Sequence, residues 1–380
     1  MGQVKKVVLV ANTAFTILNF RKELIQSLIK ENYEVIIACP MSCSLMNESN
    51  VGKEIETIGA THYSIPLSRI GTNPLSEIKL FLSLLRLYRK EQPGVILNYT
   101  IKPTIYSSLA AKLSCRAKVF STITGIGYIF SNESLKSQLL ALIVKSQYWL
   151  ALKCNRLVFF QNNDDVSLFK KIGLLNNIPT RIVNGSGVNF NDFQSTEKEK
   201  LNCSFLMVGR ILKDKGIDEY ISAARQLKKQ YPEAKFQLLG PLDSNPMSYK
   251  IADVNTWQKE GVIEYIPSTK DVRSHLDLAE VFVLPSYREG TPRSVLEAMA
   301  MKMPIITTNA PGCKETVVDG ENGFLVDVKN STQLAEAMEK FIVNKSLISK
   351  MGEASFKMAQ QKYDVNIVNK SILNEILLQH

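Results

Sequence analysis

The feature that most constrains this chain is an alternation of strand-like and helix-like segments that runs through its first half, pauses, and begins again. Residues 5–11 form an apolar run of strand length, 19–30 carry helical spacing, and 34–39 are β-rich. A helix near 51–58, a strand near 62–65 and a long helix at 75–90 follow, and Pro93 closes that helix ahead of a buried-type strand at 95–99. Pro103 suits the first turn of a helix through Lys112, because the N–H it lacks would be unpaired there anyway. Residues 118–122 read as strand, 135–154 as a long apolar and basic helix, and 156–161 as strand. Asn163 or Asp164 is placed to cap a helix through Lys171. Repeated units of this length imply a parallel sheet covered by helices on both faces.

A polar stretch at 189–202, rich in Glu and Lys, reads as a linker. After it the pattern restarts, with strands at 205–208, 235–239, 262–265, 281–285, 304–308 and 323–326, and helices at 217–230, 271–278 and 293–301 before terminal helices. With 380 residues, the chain is too long for one ordinary core and suits two. The expectation is therefore α/β, two Rossmann-like doubly wound domains facing across a cleft, with ligands at the carboxyl ends of the strands. The boundaries are placed at 1–188 and 189–355, with a terminal helix at 356–380 returning to the first domain.

Six scattered cysteines without a C-x-x-C pair, and three histidines, leave no framework for a disulfide fold or a structural zinc site. A reducing cytoplasm fits. The longest apolar stretch, 139–152, is broken by Lys145, Ser146 and Gln147 and falls short of the roughly 20 residues of a span. Residues 1–190 hold 22 Lys and Arg against 11 Asp and Glu, while the remaining 24 and 25 nearly cancel. A half with that excess is either a solvated basic face or a surface for a polyanion such as anionic lipid. Nucleic acid is disfavoured, since no helix-turn-helix, zinc-finger or RNP-type motif is present.

Two segments carry chemistry. In Gly209-Arg-Ile-Leu-Lys-Asp-Lys-Gly216, a glycine directly after a strand is followed by Arg210 and Lys215. That puts a fork donor and a mobile point charge at the sheet's carboxyl edge, where a diphosphate would need them. In the segment from Leu284 to Pro304, a strand ends at Pro285, a loop carries Glu289-Gly-Thr-Pro, and a helix starts near Arg293. The free N–H groups of that helix start favour an anion, and Gly290 lets backbone approach a ligand closely. By themselves Glu289 and Glu297, eight residues apart, mean little and read as a loop acid and a helix-surface acid.

The second segment resembles the E-x7-E signature of retaining family-four glycosyltransferases of the GT-B fold. Glu289 and Glu297 match the two glutamates, and the flanking Pro-Ser, Glu-Gly, Leu-Glu-Ala-Met and Pro-Ile-Ile agree. The Gly209–Gly216 segment is similar to the family's G-R-x4-K-G element, and residues 310–326 to its G-G-x-x-E segment. The resemblance implies that Arg210 and Lys215 neutralise the leaving diphosphate, that Glu289 lies near the donor sugar, and that Glu297 binds donor ribose. It places Gly209, Pro241, Gly290, Thr291 and Ser294 around the donor, with Lys270 and Asp271 below the base. It also implies that the departing phosphate, not a side chain, takes the acceptor proton.

Residues 99–112 and 122–130 resemble the Y-T-x-K-P and T-x-x-G-x-G-Y segments of bacterial O-antigen and capsule enzymes, which makes Lys102, Gly125 and Tyr128 acceptor-side candidates. Many relatives have a histidine near the Lys102 position, and the glycine pair common after the first strand is here Asn12-Thr-Ala-Phe15. The implied reaction moves a hexose or N-acetylhexosamine from a nucleotide sugar, UDP-linked, to an undecaprenyl-diphosphate-linked sugar. The enzyme would sit on the inner face of the cytoplasmic membrane, against anionic lipid. No cofactor or metal is expected, because no D-x-D triplet occurs. The alternatives are a GT-B enzyme with a soluble acceptor and a sugar-nucleotide 2-epimerase, which should lack the Glu289/Glu297 register.

Overall fold

The computed structural model describes residues 5–41, 48–68, 73–125, 135–194, 203–243, 245–269 and 271–377. The chain divides into two compact units, Met1–Ser186 with Val368–His380, and Gly187–Ile367.

In the first unit the strands β1 (Lys5–Val10), β2 (Tyr33–Cys39), β3 (Thr61–Ser64), β4 (Val95–Tyr99), β5 (Lys118–Ile123), β6 (Leu157–Phe160) and β7 (Thr180–Ile182) form one parallel sheet. Their order is β3-β2-β1-β4-β5-β6-β7. The order reverses between β1 and β4, so ligands are favoured beyond the carboxyl ends of those two strands. Every residue of β4 is buried, as a central strand covered on both faces requires. The covering helices are α1 (Ala14–Phe20), α2 (Lys22–Lys30), α3 (Glu48–Thr57), α4 (Pro74–Glu91), α5 (Ser108–Ser114), α6 (Leu135–Leu152) and α7 (Asn163–Lys171). The last helix of the chain, α14 (Val365–Leu377), sends Val368, Ile372 and Ile376 into the core formed by Val7, Leu9 and Ile25. An Arg181–Glu375 ion pair joins it to β7.

The second unit has the order β10-β9-β8-β11-β12-β13, again parallel, from β8 (Ser204–Val208), β9 (Lys235–Leu239), β10 (Glu264–Ile266), β11 (Val281–Leu284), β12 (Ile305–Thr308) and β13 (Gly323–Val326). Its helices are α8 (Ile217–Gln230), α9 (Ile251–Lys259), α10 (Arg273–Leu278), α11 (Arg293–Ala300), α12 (Ser331–Val343) and α13 (Ser346–Lys362). The unit runs to Ile367, so a boundary at 355 falls inside α13.

Several local expectations change. The helix anticipated over 19–30 is two helices that break at Arg21, whose backbone leaves helical geometry at φ −134°. Its buried guanidinium stacks 4.4 Å from the Tyr99 ring centre, a tertiary contact that local spacing does not encode. The helix after Pro103 opens as a π-helical turn, Pro103–Ser107, before α5. The cap of α7 is Asn162, not Asn163 or Asp164: Asn162 is extended and its side chain accepts from the Asp165 N–H at 2.8 Å. The strand β7 and the helix α9 are additions to the pattern read from sequence.

Candidate active site

The second unit gathers the motif residues at the carboxyl ends of β8 and β11. Gly209 and Arg210 leave β8, and a 3-10 turn, Lys213–Lys215, leads to Gly216 at φ +77°. A Cβ at Gly216 would stand 2.1 Å from the Pro285 carbonyl oxygen, so this loop lies directly against the end of β11. The Tyr287 N–H and the Ser286 hydroxyl both donate to the Asp214 carbonyl, at 2.9 and 3.2 Å. The Tyr287 hydroxyl donates to the Glu219 carboxylate on α8, 2.9 and 3.0 Å from its two oxygens. Two segments remote in sequence are thereby held as one surface.

That lacing brings Lys215 onto Glu289 as an ion pair, with both side chains largely buried (16% and 14% exposed). The Glu289 N–H donates to the Pro311 carbonyl at 2.9 Å. Gly312, at φ +82°, passes so near that a Cβ would meet the Glu289 and Gly290 carbonyl oxygens at 2.2 and 2.3 Å. Cys313 beside it is buried, and burial pushes its thiol up to about 12, with the Glu289 carboxylate adding to the rise. It is thus an inert packing residue.

Arg210 takes a different partner: its Nη1 donates to Asp243 at 3.0 Å. Pro241 fixes the loop beneath, accepting the Ile211 N–H at 3.0 Å. No side chain caps the start of α11 at Pro292, so the positive end of the helix dipole is not offset there by a capping side chain. Glu297, one turn into α11, pairs with Arg293 at 2.9 Å. Burial raises the Glu297 pKa, and Arg293 offsets part of that rise. Arg293 also donates to the Gly187 carbonyl. Of the sequence candidates, Lys215 and Glu289 are in direct contact, whereas Arg210 and Glu297 each meet a residue the motif analysis did not assign. Asp243, Tyr287 and Glu219 carried no motif signal, since their roles arise only from the packing of loops. Asp271 lies just before α10 and pairs with Arg273 at 2.7 Å, while Lys270 falls outside the described residues.

In the first unit, Lys102 donates to Glu77 on α4 at 2.6 Å and to the Ser68 carbonyl at 2.8 Å, so its amine is tied within its own unit. Thr100, just after β4, has φ +74°, a conformation costly for a β-branched residue. Its hydroxyl is buried without a partner among the described residues. Behind this turn, Asn98, Ser107 and Tyr88 form a buried hydrogen-bonded chain at 2.6 Å per link. Gly125 follows β5 with φ +139°, and Tyr128 lies outside the described residues. On α4, Leu75, Ile78 and Leu82 are exposed and share one helical face with Lys79, Arg86 and Arg89. On α6, Leu142, Ile143, Trp149 and Leu150 are exposed, with the Lys153 ammonium over the Trp149 ring.

Among the described residues, no group of three or more His, Cys, Asp or Glu is arranged to hold a metal ion, and no helix is long and apolar enough to cross a membrane.

Comparison with known proteins identifies the family of the chain. Residues 188–358 match the family described as glycosyl transferases group 1, and residues 6–162 match glycosyl transferase 4-like. The chain is 26% identical, over 94% of both proteins, to the Campylobacter jejuni N,N'-diacetylbacillosaminyl-diphospho-undecaprenol alpha-1,3-N-acetylgalactosaminyltransferase. It is 27% identical, over 72% of both, to the Escherichia coli UDP-Gal:alpha-D-GlcNAc-diphosphoundecaprenol alpha-1,3-galactosyltransferase. Among solved structures it is similar to Anabaena HepE in complex with UDP and glucose, with a TM-score of 0.79 and 14% identity over 98% of this chain and 99% of that one. With each half matched by a glycosyltransferase family, the chain belongs to the group 1 and 4-like glycosyltransferases and is a hexosyltransferase of the GT-B fold.

Proposed function

We propose that the enzyme moves a hexose or N-acetylhexosamine from a UDP-linked donor to a sugar carried on undecaprenyl diphosphate, with retention of anomeric configuration, in bacterial surface-polysaccharide assembly. The observation that carries this reading is the Lys215–Glu289 contact, which sets a cation and an acid side by side at the carboxyl ends of β8 and β11. Arg210 and Lys215 hold the diphosphate and stabilise the charge that grows on it as the bond from sugar C1 to phosphate oxygen breaks. The uncapped start of α11 adds to that field. The acceptor hydroxyl oxygen bonds to C1 on the face the phosphate leaves, and its proton passes to the departing phosphate oxygen. Glu289 steadies the sugar, and Glu297 accepts from the ribose hydroxyls. Pro241, Gly209, Gly290, Thr291 and Ser294 line the donor. No metal takes part.

The acceptor reading draws on the two relatives whose names specify undecaprenol-linked sugars, and the donor reading on the UDP in one of those names and in the HepE complex. Lys102, Gly125 and Tyr128 serve the acceptor side. The excess of basic residues in the first half, with the exposed apolar and cationic faces of α4 and α6, fits peripheral attachment to the anionic inner face of the cytoplasmic membrane. The test is a donor screen against undecaprenyl-diphosphate-linked sugars, with the anomeric proton coupling of the product read by NMR. Transfer from a UDP-sugar with a product of unchanged anomeric configuration is expected. An inverted product, or turnover only on soluble glycans, would refute the reading.

A further inference from the structure

We infer that Asp243 is a positioning residue for the transfer, acting through Arg210 and holding its guanidinium in the orientation that meets the donor diphosphate. The inference rests on the proposed role of Arg210. Arg210 is nearly half exposed (45% of its side chain), whereas the Asp243 carboxylate that binds it is almost wholly buried (4%). An exposed arginine ordinarily samples many rotamers, and ordering it costs a ligand affinity. Here one end of the guanidinium is already fixed, at 3.0 Å, to an acid that cannot itself wander.

The Asp243 carboxylate is locked by its surroundings. Oδ1 accepts the Asn245 N–H at 3.0 Å, while Oδ2 accepts from Arg210. The Asp243 N–H donates to the Ser248 hydroxyl at 3.0 Å, and that hydroxyl lies 3.1 Å from the carbonyl oxygen of Ile211, the residue after Arg210. Two more backbone bonds tie the same pair of loops: Lys213 N–H to Met247 carbonyl at 3.0 Å, and Tyr249 N–H to Ile211 carbonyl at 3.2 Å. The loop after β9 is thus a bracket built around the loop after β8. Among the described residues, the ion pair that joins the two loops falls on Arg210.

Two observations point to a ligand in front of the bracket. Among the described residues the Arg210 guanidinium has no partner besides Asp243, so the rest of its donor fork is uncommitted. A Cβ placed on Gly209 would meet nothing within 4 Å, and Gly209 does not sit in the left-handed region. The fold therefore has no internal need for glycine there, and the missing side chain leaves room beside Arg210 for a phosphate to approach backbone.

Calorimetry tests this on the full chain, with the tightest binder among UDP, GDP and dTDP as probe and its nucleoside as control. Asp243→Asn keeps an oxygen for the Asn245 N–H but presents an amide to Arg210. Affinity for the nucleoside diphosphate should fall roughly three- to tenfold, the scale of ordering one long side chain, while nucleoside binding stays unchanged. In an Arg210→Ala background the same substitution should have no further effect, since the coupling runs through that guanidinium. Asp243→Glu, which keeps the charge but displaces the carboxylate by one methylene, should fall between native and Asn; if the Asn variant does not fold, Glu must still show that intermediate loss, and no further loss when Arg210 is absent. Equal or tighter diphosphate binding by Asp243→Asn, or an equal loss with Arg210 absent, overturns the positioning role. Should Arg210→Ala alone leave affinity unchanged, the proposed role of Arg210 itself fails.

Discussion

Lys215 and Glu289, 74 residues apart in sequence, form an ion pair in which both side chains are largely buried. In the proposed reaction the donor diphosphate competes with a carboxylate for this amine, so the two substitutions should separate. Lys215→Ala should weaken nucleoside diphosphate binding by about 1.5–3 kcal/mol, the scale of one charge-assisted contact. Glu289→Gln should leave that affinity within about threefold of native, or strengthen it, and lower kcat by at least about tenfold, since its proposed role is with the sugar in the transition state. Calorimetry and steady-state kinetics on the two variants distinguish these effects. Unchanged binding in Lys215→Ala would remove it from the diphosphate site.

Transfer should persist in EDTA. Arg210, Lys215 and the α11 start supply positive charge from the protein itself, and the chain offers no acidic triplet to bridge a metal. A rate that collapses on chelation and returns with manganese or magnesium would contradict the mechanism.

Glu297 should make stability depend on pH. Its folded pKa is raised above the ordinary 4.5 by burial, so the folded state holds its proton to higher pH than the unfolded chain does. This contribution is complete below about 4.5 and is lost as pH rises through the folded value. Glu297→Gln should abolish that slope. It also strips Arg293 of its carboxylate, at a cost of about 1–3 kcal/mol at neutral pH. Urea unfolding across the acid range reads both effects, and a native curve that rises with pH where the Gln variant is flat would reverse the assignment.

Gly216 is where the loop after β8 packs against the end of β11. Its φ of +77° is unfavourable for an L side chain, and a Cβ would press on the Pro285 carbonyl oxygen at 2.1 Å. Gly216→Ala should therefore cost about 2–4 kcal/mol and separate Lys215 from Glu289. Chemical denaturation and nucleotide affinity should fall together; a variant as stable as native would show that the loops do not touch this closely.

Binding to phosphatidylglycerol vesicles should be strong at low salt and weak at high salt, at about 1 kcal/mol per well-placed cation. The face of α4 is the first place to test. Lys79→Glu with Arg86→Glu should remove most electrostatic binding, and Leu75→Ser with Ile78→Ser should remove the insertion component. Co-sedimentation of the whole chain is the measurement, and absence of binding at low salt would mark the face as merely solvated.

Apolar patterning along the chain was enough to specify the two parallel sheets, because strands buried on both faces are predominantly apolar, and β6 and β11 show that composition directly. It was also enough to locate the loops that carry Arg210, Lys215, Glu289 and Glu297, since glycine and proline at strand ends are local signals. The partners of those side chains were settled by packing. That Lys215 meets Glu289 depends on how closely Gly216 and Gly312 let their loops approach the end of β11, and that Arg210 meets Asp243 depends on the close approach of Gly240 to the Gly209 carbonyl. The break at Arg21 was likewise invisible, because the buried side chain there packs against a ring 78 residues away in sequence, Tyr99. Local spacing encodes which face of an element is apolar; it does not encode which side chain from another element will stand opposite. Those contacts exist only once the sheets have set the distances between strand ends.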